Sequence, residues 1–251
     1  MPMGFWLAPI AGFAAFALNE VVNPYWAFLG KVHSRGNPRG VALTFDDGPH
    51  PLYTPKVLET LHQFQAKATF FVIGRFLERH GDVTAAASHA GHLVANHSFH
   101  HFRTMSFLSR DKIQDEILRC QEELEKWVGY RPRFYRQPAW FRNPKIFGIL
   151  EGMGMSLVGW QAWAYDSQEK TPRTIARRIL GKIRPGGIIL LHDGSDSDGG
   201  QDRTPTLEAL PLILQELKER GLESLRLDDL LGMDKEAQGV RPKAQGTRCK
   251  V

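Results

Sequence analysis

The chain has 251 residues, with 32 Lys and Arg against 27 Asp and Glu and a formal charge of +5. That length allows one large domain or two small ones, and the composition is that of a soluble globular protein rather than a disordered or fibrous one. The basic residues are scattered, which favours anionic surroundings such as envelope polymers or a membrane surface without implying nucleic acid, and the two cysteines, Cys120 and Cys249, do not suggest a structural disulfide.

Phe5 to Leu18 is apolar, Asn19, Glu20, Asn23 and Pro24 interrupt the run, and Tyr25 to Leu29 resumes it. A helix over 5–18 would cover about 21 Å of a hydrocarbon core about 30 Å thick, so it does not qualify as a clean span. No Lys or Arg precedes it, which weakens a signal-peptide reading. Residues 1–30 are therefore expected to be an interfacial anchor or signal-anchor in contact with a membrane, the alternative being a hydrophobic extension packed on the domain. Residues 31–39, with Gly36 and Pro38, are expected to be a linker.

The domain is expected over 40–231. Its first strand is predicted at 41–45, and Thr54-Pro55 is expected to cap a helix through Phe64. A strand over 68–73 follows, then two short helices over 76–80 and 83–90, and a strand over 92–95. Ser109 is expected to cap a long helix ending at Gly129. A strand over 133–136, a helix over 144–153 and a strand over 156–160 lead to Asp166. Thr171-Pro172 starts a helix to Lys182, and 187–191 is a strand ending in His192-Asp193. A helix from Thr204-Pro205 with a possible kink at Pro211 precedes a last strand over 222–227. Seven strands alternating with helices predict a parallel sheet or barrel. Residues 232–251 turn polar and basic without periodicity and are expected to be a disordered tail.

The polar residues at the strand ends form a pattern. Val41 to Phe45 runs into Asp46-Asp47-Gly48-Pro49, and adjacent strand residues point to opposite faces, so the two carboxylates can serve different roles. His97-Ser98-Phe99-His100-His101 offers two imidazoles four apart, which on one helical turn could chelate one divalent metal with Asp47 as third ligand. The His97 and His100 pair is an alternative chelate. Asp46, Asp47, His97, His101, Arg136, Asp166 and His192 all fall at or just beyond predicted strand C-termini, the edge where (β/α) barrels build active sites. The remaining histidines, His33, His62, His80, His89 and His92, lack partner patterns and are read as surface or cap residues; His50 follows Pro49 and is expected to line the site. Asp193 to Asp202 reads as a mobile acidic loop above the site, or simply a disordered surface loop.

These motifs, with Arg136-Gln137-Pro138 and Leu190-Leu191-His192-Asp193 in the same order, resemble the polysaccharide deacetylases of carbohydrate esterase family four, the NodB homology domain. The resemblance covers about residues 40–230 and implies a distorted (β/α)7 barrel. It implies Asp46 as general base, Asp47, His97 and His101 as metal ligands, and His192 as general acid. Arg136 would then pair with Asp46, and Asp166 with His192. A divalent metal, zinc first among the candidates, is the implied cofactor, and an acetylated glycan in the cell envelope, peptidoglycan-like or chitin-like, the implied substrate. Two departures stand out. Ala139-Trp140 replaces the usual aromatic-glycine after Pro138, and Ser167 replaces the tryptophan expected after Asp166. Trp140, Trp160 and Trp163 are candidates for stacking on sugar rings or for filling the core. A catalytically silent glycan-binding module, or a deacylase of O-acetyl sugars or a non-sugar amide, is the competing reading.

Overall fold

A computed structural model of the protein describes residues 30–140, 143–197 and 200–233, without the side chain of Trp140. The apolar segment expected at 1–30 and the basic tail expected at 232–251 lie outside the described residues except for Gly30 and residues 232–233. No helix among the described residues is long and apolar enough to cross a membrane.

Among these residues nine strands form one sheet. They are β1 (Val32–His33), β2 (Gly40–Gly48), β3 (Ala68–Val72), β4 (Leu93–Asn96), β5 (Phe134–Tyr135), β6 (Ser156–Val158), β7 (Ala162–Trp163), β8 (Ile188–His192) and β9 (Glu223–Ser224). Their order is β1-β6-β5-β4-β3-β2-β8-β7, with β9 added to the start of β2, and every strand pairing is parallel. The sheet curls into a half-barrel, the distorted barrel form expected. The helices are α1 (Tyr53–Gln63), α2 (Gly74–His89), α3 (Arg110–Val128), α4 (Pro144–Gly152), α5 (Pro172–Lys182), α6 (Thr204–Glu219) and α7 (Leu227–Leu231).

The curl gives β2 two covered faces, so all nine of its residues are buried, as expected for a near-continuous apolar run in a parallel sheet. Phe45, Phe70 and Val94 on the outer face meet Val57 and Leu61 of α1, Leu77 of α2, Ile175 and Ile179 of α5, and Ile213 of α6. On the other face Ala42, Phe71, Val158 and Ile188 receive Leu227 and Leu230 of α7, which seals the half-barrel at the strand N-termini. Burying a leucine of this kind is worth roughly 1.5–3 kcal/mol.

Several expectations are corrected. Residues 31–39 contribute β1, which pairs with β6, and Arg35 then bridges to Gly187 at the start of β8. This stretch thus spans the open side of the curl. Strand β7 is a further addition to the predicted set, because two residues carry no readable period. The predicted strand at 222–227 shortens to Glu223–Ser224 and gives way to α7. The two helices predicted within 76–90 are found as the two halves of α2, which meet at a kink at His80, where φ is −137°. Helix α6 continues past Pro211. Ser109 does cap α3, accepting the Lys112 N–H at 3.3 Å, and Gly129 ends it at φ 74°.

Candidate active site

The site is built at the C-terminal ends of β2, β4, β5 and β8. At the end of β2 the chain leaves the sheet through a register shift between Asp46 and Gly48, with Asp47 at φ 71° and a cis Gly48-Pro49 bond. A left-handed non-glycine residue is held only where its surroundings over-determine it. Here the β8–α6 connection does so: a Cβ on Gly194 would meet the Asp47 carbonyl oxygen at 1.9 Å, so only glycine lets that loop pack on the turn.

After β4, Asn96 organises the histidines. Its Nδ2 donates to the Ile117 carbonyl at 2.9 Å and to Gln121 Oε1 at 3.1 Å, while its Oδ1 accepts the Ser98 N–H at 2.9 Å. Ser98 Oγ in turn accepts the His101 N–H at 3.1 Å. Ser98 and His101 have φ of 67° and 59°, so the two imidazoles converge through a loop rather than along the helical turn expected. Their ring centroids are 4.8 Å apart. His100 turns away: its Nδ1 lies 2.6 Å from Glu116 Oε1, and its N–H donates to Glu116 Oε2 at 2.8 Å. His100 thus stands apart from the cluster of Asp47, His97 and His101.

Asp47 Oδ1 stands 3.5 Å from His97 Nε2 and 3.2 Å from His101 Nε2, and one ligand atom from each of the three residues lies within 4.8 Å of the others. Two donors sharing a tetrahedral ion at about 2.1 Å are about 3.4 Å apart, so the spacing fits a divalent metal. The donor chemistry fits too. His97 Nδ1 sits 2.7 Å from the Arg136 carbonyl oxygen, the partner that leaves Nε2 with its lone pair inward. Burial would raise the Asp47 pKa, but the neighbouring His97, His101 and His192 hold it below the usual carboxylate range.

Asp46 faces the same space from the other side. Its Oδ1 accepts from Arg136 Nη1 at 2.7 Å, and Arg136 is fully buried. That guanidinium also donates to Thr44 Oγ1 at 2.7 Å and the Gly159 carbonyl at 3.0 Å, and lies over the Phe71 ring at 4.1 Å. Opposite, His192 Nδ1 is 2.9 Å from Asp166 Oδ1, and Thr206 Oγ1 donates to Asp166 Oδ2 at 3.0 Å. Burial would lower the His192 pKa; the charge and hydrogen bond of Asp166, helped by Asp47, outweigh it and raise the value to about 9. Asp166, 1% exposed, is held low by the same pairing. All seven residues expected at the site are therefore brought together, and Asp46, Asp47, His97, His101 and His192 line one cavity of about 650 Å³.

A family model described as polysaccharide deacetylase matches residues 33–158. A peptidoglycan-N-acetylglucosamine deacetylase of Bacillus cereus is 36% identical over 198 residues, 78% of this chain and 89% of that protein. The chain belongs to the polysaccharide deacetylase family. A chitooligosaccharide deacetylase of Azorhizobium caulinodans is 34% identical over 194 residues, covering 74% of this deacetylase-family chain and 91% of its own. Among solved structures, the Bc1960 peptidoglycan N-acetylglucosamine deacetylase superposes with a TM-score of 0.76 at 29% identity, covering 81% of this chain and 93% of that one.

Against this family background, the structure adds residues that sequence reasoning missed. Thr54 does not cap α1: its hydroxyl accepts the His50 N–H at 2.9 Å and donates to Asp193 Oδ2 at 2.5 Å. Asp193 is buried behind the Gly48 turn, and burial with the charges of Asp47 and Asp46 raises its pKa to about 7. Arg203, 2% exposed, reaches within 3.9 Å of Asp47 Oδ2 and donates to the Gly194 carbonyl at 2.6 Å. No local pattern marks Arg203, and the patterns at Thr54 and Asp193 pointed to a helix cap and to the start of a loop. His50 is tied to α1 through the N–H groups of Leu52 and Tyr53. His92, expected at the surface, is buried and accepts the Ala68 N–H at 3.2 Å, with burial lowering its pKa to about 4. His33 lies half-buried in β1. Trp160 and Trp163 both line the cavity with ring centroids 6.0 Å apart, and Trp160 also packs on the inner core. Trp163 is stacked at 3.9 Å by Tyr165, which is 46% exposed.

Proposed function

We propose that this protein removes acetyl groups from N-acetylated amino-sugar units of a polysaccharide, peptidoglycan-like or chitin-like, at a divalent metal held by Asp47, His97 and His101. The observation that carries this reading is the cavity in which that cluster is flanked by the Arg136-paired Asp46 on one side and the Asp166-paired His192 on the other. Zinc suits a set of two imidazoles and a carboxylate. When bound, the metal lowers the pKa of a water and withdraws charge from the acetyl carbonyl. Asp46, kept anionic and aimed by Arg136, takes the proton of the attacking water. His192, kept protonated by Asp166, hands its proton to the departing sugar amine. Arg136 and Asp166 touch neither reactant and act through their partners. The tryptophans of the cavity wall offer apolar faces to a sugar ring.

The names and substrates of the relatives support this substrate class, and support placement in the cell envelope, where residues 1–30 would supply membrane contact. The competing reading of a silent binding module rests on the altered third and fourth motifs. Neither alteration disperses the set, since Asp166 stays 2.9 Å from His192 and Arg136 stays 2.7 Å from Asp46. Acetate release from a panel of N- and O-acetylated glycan oligomers, with and without chelator, tests the proposal. Release from N-acetylated oligomers that chelator abolishes and metal restores supports it; glycan binding without release identifies the module instead.

A further inference from the structure

The two metal-facing histidines are supported unequally. His97 has a carbonyl partner for Nδ1, whereas His101 Nδ1 is buried and makes no hydrogen bond. A ligating imidazole ordinarily passes that second N–H to a carboxylate, a carbonyl or a water, which fixes the tautomer and the ring orientation. The acidic group facing it is Asp196, whose Oδ2 lies 3.6 Å away.

Asp196 is not a passing surface acid. Its carboxylate is three-quarters buried, faces Arg103 Nε at 3.4 Å, and lines the same cavity as Asp47, His97 and His101. Its backbone carbonyl accepts from Arg75 Nη2. Two cations from separate parts of the chain thus hold this residue over His101: Arg75 at the start of α2, and Arg103 just after the histidine loop.

From this arrangement we propose that Asp196 is the positioning residue of His101, accepting its Nδ1–H so that Nε2 is presented to the metal. The inference rests on the reading that Asp47, His97 and His101 hold a divalent ion. The first turn of the acidic connection after His192 then supports a ligand, and metal affinity is set partly by a residue almost a hundred positions from that ligand in sequence.

Zinc binding to the metal-stripped full chain, measured by competition with a chromophoric chelator, tests this. Asp196→Ala is expected to weaken zinc about 10–100-fold, the range for losing such an outer partner. Asp196→Asn, which retains an acceptor oxygen, is expected to fall between Asp196→Ala and wild type. The thermal midpoint of the metal-free protein should match wild type in both, because Asp196 contributes to no core cluster among the described residues. Wild-type zinc affinity in Asp196→Ala, or an equal loss in the Asn variant, overturns the inference while leaving the ligand set standing. Absence of zinc binding by wild type overturns the ligand reading itself.

Discussion

Asp166 grips His192 at two points: its Oδ1 meets the imidazole Nδ1 at 2.9 Å, and its Oδ2 accepts the His192 backbone N–H at 2.8 Å. Imidazole and strand are thereby positioned by one buried carboxylate. The expected pH profile of kcat/KM is a bell whose alkaline limb reports loss of the His192 proton, which the Asp166 carboxylate holds on against burial. In Asp166→Asn the anion that favours the charged imidazole is gone, so that limb should move to lower pH while the acidic limb stays roughly in place. An alkaline limb that does not move rules Asp166 out as the partner.

Asp46→Asn separates base from ligand. Its two oxygens face Arg136 and the edge of the metal cluster, and Asp47 supplies the cluster's carboxylate. Bound metal, counted by atomic absorption, should stay at the wild-type level while turnover falls by about 10²-fold or more. Loss of the metal instead would mean that the two aspartates have exchanged roles.

His101→Ala should remove most of the bound metal, and His100→Ala should not. The first imidazole lies 3.2 Å from Asp47 Oδ1, while the second is committed to Glu116. Full metal stoichiometry in the His101 variant would contradict the assignment.

Arg136→Met should cost about 3–5 kcal/mol of folding stability, the scale for leaving one member of a buried ion pair uncompensated. Asp46 would lose its cation at 5% side-chain exposure, and the carbonyl of Gly159 would lose a donor. Urea unfolding of the metal-free protein measures this, and a loss below about 1 kcal/mol would show that the buried pair contributes little.

Much of the fold was legible because its signals are local. The apolar run Val41 to Phe45 ending in two acids, the serine cap and glycine stop of α3, and the Thr-Pro starts of later helices all act within one turn or one strand. What escaped was short. Two-residue strands such as β1 and β7 have no period to read; they exist because β6 and β8 offer open edges to them. Thr54 misled for a related reason: threonine before proline favours a helix start, but tertiary packing gave its hydroxyl to Asp193.

Residue order alone names the chemical groups at the strand C-termini, and so the metal-binding and acid-base candidates, since the parallel topology carries every such terminus to one edge. How those groups are buried and held in place was set by the packing of the fold. Arg136 and Asp166, which the family resemblance had paired with Asp46 and His192, are both buried, and each is ion-paired to a residue that lines the cavity. That His101 and not His100 faces Asp47 follows from Asn96, Ser98 and Glu116, through left-handed backbone that residue spacing does not encode. Asp193, Asp196 and Arg203 reach the site from a loop that folds back on the Asp47 turn, where Gly194 permits contact too close for any side chain. Spacing along the chain specifies a chelate only within one turn. The groups beside the outer nitrogens of His97 and His101, the Arg136 carbonyl and Asp196, come from parts of the chain remote in sequence and are set by how the half-barrel packs.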